Sequence, residues 1–196
     1  MNTPNKLTIF RILLIPVFLW ALYSNWVWNT RSWNILPLVI FILAALTDWL
    51  DGHLARKRGE VTTFGKFMDP LADKLLVTAA LVAFVDLGFI SGIVAIIVIA
   101  REFIVTGLRL VAVGEDKVIA ANFLGKLKTI LQIAVIIVIL ILRNSVILSP
   151  VITDHALFIF AILAHWLVII MTTITVISGI DYIWKNRNLL KAGANK

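Results

Sequence analysis

Asp48 and Asp51 stand three residues apart, and Asp69 and Asp73 four apart. On a helix, residues at those spacings share a face. Two carboxylate pairs this near in sequence converge if the helices carrying them are neighbours. Convergence without a counter-charge is costly. An aspartate at bilayer depth costs roughly 2.5–3.5 kcal/mol on the insertion scale, and mutual repulsion adds to that. A divalent cation at the centre removes both penalties. An all-oxygen donor set in a chain without cysteine suits Mg2+ or Mn2+ over zinc. The competing reading is four solvated charges at an interface. It suits one Asp near a helix end better than four at this spacing.

The stretch from Asp48 to Lys74 reads DWLDGHLARKRGEVTTFGKFMDPLADK. Gly52 and Ala55 remove side-chain bulk beside the carboxylates. Gly65 does so at the approach to the next helix, so that a flat base or a phosphate can reach the backbone. Close helix packing is the other use of such small residues. Arg56 adds a cation suited to phosphate. Pro70 is expected in a first helical turn, where its missing N–H would have had no helical partner. His53 reads as a bystander rather than a ligand.

The elements that must position these residues are membrane helices. The 196-residue chain is 61% hydrophobic, with a mean hydropathy of +0.99. A soluble domain runs near half apolar. A spanning helix needs about 20 mostly apolar residues, and six candidates occur, over 7–28, 34–57, 68–90, 92–113, 123–143 and 155–184. The expected fold is all-α: a polytopic membrane protein of six transmembrane helices in a single domain over residues 1–196. The first apolar stretch is long, contains Arg11 and lacks a small-residue cleavage site, so it reads as a retained helix rather than a signal peptide. No cysteine is present, which excludes disulfides and thiolate catalysis. No internal repeat is visible, which disfavours a transporter built from inverted repeats.

The net charge of +7 and pI near 10.0 point to topology and anionic lipid rather than nucleic acid. With both termini cytoplasmic, only Arg31 and Arg143 of the 18 Lys and Arg residues fall outside. That bias predicts an inner-membrane protein whose carboxylate cluster faces the cytoplasm. Trp20, Trp26, Trp28 and Trp33 gather near the outer ends of the first two helices as interfacial anchors. Lys185, Arg187, Lys191 and Lys196 read as topology signals that also attract anionic lipid.

The pattern Asp48-x2-Asp51-Gly52-x2-Ala55-Arg56-x8-Gly65-x3-Asp69-x3-Asp73 resembles the signature of the CDP-alcohol phosphatidyltransferases at all eight positions. The runs PNKLTIFRILLIP, DPLADK, REFIVTGLR and GKLKT extend the likeness to the bacterial branch whose acceptor is sn-glycerol 3-phosphate. The resemblance implies six transmembrane helices, a homodimer, and transfer of a phosphatidyl group from CDP-diacylglycerol to an alcohol with release of CMP. It implies that Asp48, Asp51 and Asp69 are metal ligands and that Asp73 adds to the metal region and acts as base. It also implies that Gly52, Ala55, Arg56 and Gly65 surround the CDP group. Asn5 and Thr8, in a matching N-terminal segment, are further candidates for nucleotide contact.

Such chemistry requires a positive pocket for the acceptor phosphate. Arg101 lies inside the fourth helix, where an unpaired cation is costly. Arg109 follows two turns on, close to the same face, and Lys126 begins the fifth helix. These three are the expected phosphate ligands. The alternative for Arg101 is an ion pair with Glu102 or Asp73; Lys128 reads as snorkelling to the interface. Direct displacement without a covalent enzyme intermediate is expected. Competing readings are the same family with inositol phosphate, serine or phosphatidylglycerol as acceptor, a divalent-cation transporter, or a non-catalytic scaffold. The cationic residues weaken serine. A transporter leaves the glycines and Arg56 without a reason.

Overall fold

The computed structural model describes residues 3–28, 35–58, 63–114, 123–144 and 154–187, with side chains described at 9–24, 35–47, 74–112, 123–144, 155 and 158–187. Among the described residues there are six helices and no strand: α1 Thr3–Trp28, α2 Leu36–Arg58, α3 Thr63–Asp86, α4 Gly92–Gly114, α5 Phe123–Arg143 and α6 Asp154–Lys185. The expected order and number are met. Trp33 and the residues from Asn188 onward lie outside the described residues.

Three boundaries move by four residues or more: α1 begins at Thr3 instead of 7, and both ends of α3 shift. Helix α3 begins at Thr63 instead of 68, so Gly65 lies inside its first turn rather than in the approach to it. Pro70 is correspondingly well inside the helix, not in its first turn. Without an N–H it cannot bond the carbonyl of Lys66 in the helical ladder. At its other end α3 stops at Asp86 rather than 90. Gly88 takes φ +76° there. Phe89 N–H bonds the carbonyl of Phe84 at 2.8 Å, and Gly88 N–H that of Val85 at 3.0 Å. This is a Schellman closure, and its hydrophobic contact is present: the Phe84 and Phe89 rings meet edge-on at 6.1 Å. Ser91 then accepts the N–H of Ile93 at 3.3 Å, capping α4.

The helices alternate in direction. At one end Tyr23 on α1 donates to Asp86 at the close of α3, at 2.9 Å, and Arg143 on α5 donates to the carbonyl of Leu22 on α1. At the other end lie the start of α1, the close of α2, the start of α3, the close of α4, the start of α5 and the close of α6. α1 packs along both α2 and α3, while α6 packs on α4 and α5. The core joins Phe18 and Leu22, Phe41, Leu81 and Phe84, Val98, Val135 and Ile136, and Met171. Ala21, Ala44, Ala80, Ala83 and Ala95 within it let backbones approach closely.

The outward faces are apolar too. Leu13, Trp20, Ile93, Ile96, Phe103, Ile130, Phe158 and Trp166 are all exposed. Segments Phe123–Arg143 and Phe158–Lys185 are long and apolar enough to cross a membrane by length and composition, and shorter apolar stretches run over Ile9–Ser24 and Leu36–Thr47. Helices apolar on the side away from the core suit a lipid surround.

Candidate active site

Asp48, Asp51, Gly52, Ala55 and Arg56 fall on the last three turns of α2, and Gly65, Asp69 and Asp73 on the first three of α3. Both carboxylate pairs are therefore helical, at the same end of the bundle. Their side chains, and those of His53, Asn5 and Thr8, lie outside the described residues. Asn5 and Thr8 belong to the first two turns of α1, which begins at that same end. No group of three His, Asp or Glu side chains that could hold a metal occurs among the described residues. The oxygen-only donor set on α2 and α3 fits a hard divalent cation.

The cationic candidates are described in detail. Arg101 is mostly buried and turns from α4 toward α6. Its Nη2 donates to Ser178 Oγ at 2.6 Å, and its Nη1 lies 3.5 Å from Glu102 Oε1. The alternative reading of an ion pair with Glu102 is thus present. Arg109, exposed, donates through Nε to the hydroxyl of Tyr182 at 3.3 Å, and its guanidinium carbon is 5.7 Å from the centroid of that ring. Both arginines point to α6, and so share the one face that their spacing of two turns predicts. Lys126 is exposed on the first turn of α5. Its neighbour Gly125 faces the guanidinium of Arg101: a Cβ there would sit 3.6 Å from Nη2. Arg101, Arg109 and the start of α5 therefore share one corner.

Lys128 corrects its sequence reading. It does not snorkel to the interface; it is buried, 2% exposed, and ion-paired with Glu102 Oε1. Glu102 thus stands between Lys128 and Arg101. Glu102 and Lys128 border a cavity of about 50 Å³, lined also by Lys74, Thr78, Thr129 and Gln132. Lys74 directly follows Asp73 in the chain, so this polar interior ties α4 and α5 to the carboxylate-bearing turn of α3.

Ser178 and Tyr182 escaped the sequence reading, as did the burial of Lys128 against Glu102, yet a signal existed. The buried stripe of α5 is Lys128, Gln132, Val135, Ile136, Ile139 and Leu140. Lys128 occupies the first position of a helical period that otherwise faces the core. On α6, Met171, Thr175, Ser178 and Tyr182 form the same kind of stripe, all buried. A polar residue in phase with a core face needs an internal partner. Arg11, read in the sequence only as an interruption of the first apolar stretch and a topology charge, is likewise buried.

The residues converging on one end of the bundle are carboxylates on α2 and α3 and cations on α4 and α5. A family description for CDP-alcohol phosphatidyltransferases matches residues 1–177. The chain belongs to the CDP-alcohol phosphatidyltransferase family. It is 41% identical to the CDP-diacylglycerol–glycerol-3-phosphate 3-phosphatidyltransferase of Bacillus subtilis (strain 168), over 97% of each chain. Proteins of the same name from Haemophilus influenzae and Pectobacterium atrosepticum are 46% and 37% identical. Those matches cover 67% and 84% of this chain and 71% and 90% of the relatives. The cation corner of this CDP-alcohol phosphatidyltransferase lies within the matched span up to Glu102, Arg109 and Lys128; Ser178 and Tyr182 fall just past its end.

Proposed function

We propose that this enzyme transfers the phosphatidyl group of CDP-diacylglycerol to sn-glycerol 3-phosphate, giving phosphatidylglycerophosphate and CMP. The observation that carries the reading is the pairing of Arg101 and Arg109 on one corner of the bundle, in a chain so similar along its whole length to a transferase of that acceptor. Serine, which has no phosphate, would give two guanidinium groups nothing to neutralise.

The chain spans the inner membrane six times as one domain, with both termini and the site on the cytoplasmic side. The excess of Lys and Arg at the site end supports this orientation. It acts as a homodimer among membrane lipids. Asp48, Asp51 and Asp69, with Asp73 adding charge, hold Mg2+ or Mn2+; their oxygen donors suit either ion. Held there, a divalent cation would supply positive charge against the diphosphate and the departing CMP. Gly52, Ala55, Arg56 and Gly65, with Asn5 and Thr8, cradle the CDP group. Arg101, Arg109 and Lys126 bind the acceptor phosphate.

Asp73 takes the proton from the primary hydroxyl of the acceptor. The freed oxygen attacks the phosphorus that carries diacylglycerol, and that phosphorus parts from the CMP oxygen. Holding both substrates at the interface supplies the proximity. Attack without an enzyme-bound intermediate inverts that phosphorus; retention of configuration would mean two displacements and defeat this version.

Purified protein with CDP-diacylglycerol and Mg2+ would be offered glycerol 3-phosphate, inositol phosphate and serine in separate reactions. CMP release should follow glycerol 3-phosphate alone, and silence with all three would refute the reading. Asp73→Asn should abolish turnover while CDP-diacylglycerol still binds. An active Asp73→Asn enzyme would remove Asp73 as the base.

A further inference from the structure

The two arginines of α4 differ in how they are held. Arg101 is walled in, whereas Arg109 is exposed and would sample many rotamers if nothing steered it. An arginine side chain carries about 2 kcal/mol of rotamer entropy, so a phosphate that must first order it binds less tightly. Both are steered from one short segment of α6. Ser178 and Tyr182, one turn apart, are 3% and 4% exposed. Val105, Leu108 and Tyr182 form a small apolar cluster that locks α6 to α4.

Each contact leaves ligand-binding capacity. Tyr182 takes the Nε–H of Arg109, and the guanidinium carbon lies 5.7 Å from the centre of its ring, within cation–π range. The two Nη groups of Arg109 make no hydrogen bond among the described residues. Two such groups suit bidentate contact with phosphate oxygens. Ser178 takes one N–H of Arg101 Nη2, while Nε of Arg101 is buried with no hydrogen-bond partner among the described residues. Gly179 makes this geometry possible. A Cβ there would lie 3.1 Å from Arg101 Cγ, so a larger residue would push the arginine stem away from α6.

We infer that Ser178, Gly179 and Tyr182 are positioning residues for the acceptor: they aim Arg101 and Arg109 at its phosphate, and so set from α6 the preference for a phosphorylated alcohol. The inference rests on the reading that these arginines bind the acceptor phosphate. It adds that their orientation is imposed by a helix carrying none of the family signature.

The test is steady-state kinetics on the full-length enzyme in detergent, each substrate varied separately, beside thermal unfolding. Tyr182→Phe and Ser178→Ala should each raise the KM for glycerol 3-phosphate about tenfold, the loss expected of one hydrogen bond to a charged group. The KM for CDP-diacylglycerol and kcat should stay within about twofold, a split that general loosening would not produce. Ser178→Thr, which keeps the hydroxyl, should restore the acceptor KM. Gly179→Ala should raise it as well. Arg109→Ala is the control. If it raises the acceptor KM selectively while Tyr182→Phe and Ser178→Ala do not, the cradle is refuted and the arginine reading stands. If Arg109→Ala affects both substrates equally, both fall.

Discussion

Glu102 carries more of the interior than any other described acid. It meets Lys128 on α5 and lies 3.5 Å from Arg101 on its own helix. Removing one partner of a buried pair costs about 3–5 kcal/mol, because the other charge is left uncompensated. Glu102→Gln should therefore lower the unfolding midpoint in detergent strongly. Lys128→Met should do so less, since Arg101 stays to answer the carboxylate. The double variant should be more stable than the sum of the single losses, and strict additivity would show that the pair is not coupled. At this scale the sequence exposed the signature carboxylates through spacing alone. It did not expose the Glu102–Lys128 pair, because ion pairing between helices has no fixed offset in the chain. Arg101 was legible as a cation needing a partner; its second partner, Ser178, comes from α6.

At the scale of elements, local chemistry explains most boundaries. The turn between α3 and α4 closes through Gly88 at φ +76°, a conformation that costs a side-chain-bearing residue roughly 1–2 kcal/mol. No atom lies within 4 Å of a Cβ built at Gly88, so strain rather than a clash would dominate. Gly88→Ala should thus lower stability by about that amount, read as a shift in thermal midpoint, with KM for both substrates unchanged. This turn sits at the end of the bundle opposite the cations, so altered kinetics would mean that the two ends are coupled. Gly88, a glycine between two apolar runs, is legible in the sequence as a turn signal. The early start of α3 is not, because the polar residues from Thr63 to Lys66 break the apolar run used to find the helix, while the backbone continues helical through them.

For the whole molecule, alternation of helix direction brings separate sequence motifs to one end. The absence of cysteine makes the orientation directly testable. Phe89→Cys, at the turn between α3 and α4, should react with a membrane-impermeant maleimide added outside intact cells. Arg187→Cys, past α6, should react only after permeabilisation. The reverse pattern would invert the proposed topology. Cross-linking in native membranes should trap a homodimer; a strictly monomeric active enzyme would remove that part of the proposal.

Composition and period by themselves determined the helical character, number and order of the elements found among the described residues, and that α2 and α3 carry the carboxylates. These are local properties: an apolar run of spanning length and residues one turn apart are readable within one segment. The tertiary structure decided which cations are consumed internally and which are presented. Lys128 went to Glu102, Arg101 was shared between Glu102 and Ser178, and Arg109 was steered by Tyr182. Those assignments depend on the rotation of α4, α5 and α6 about their axes. That rotation is set by packing across the whole core, including Val98, Ile136 and Met171, and not by any one segment.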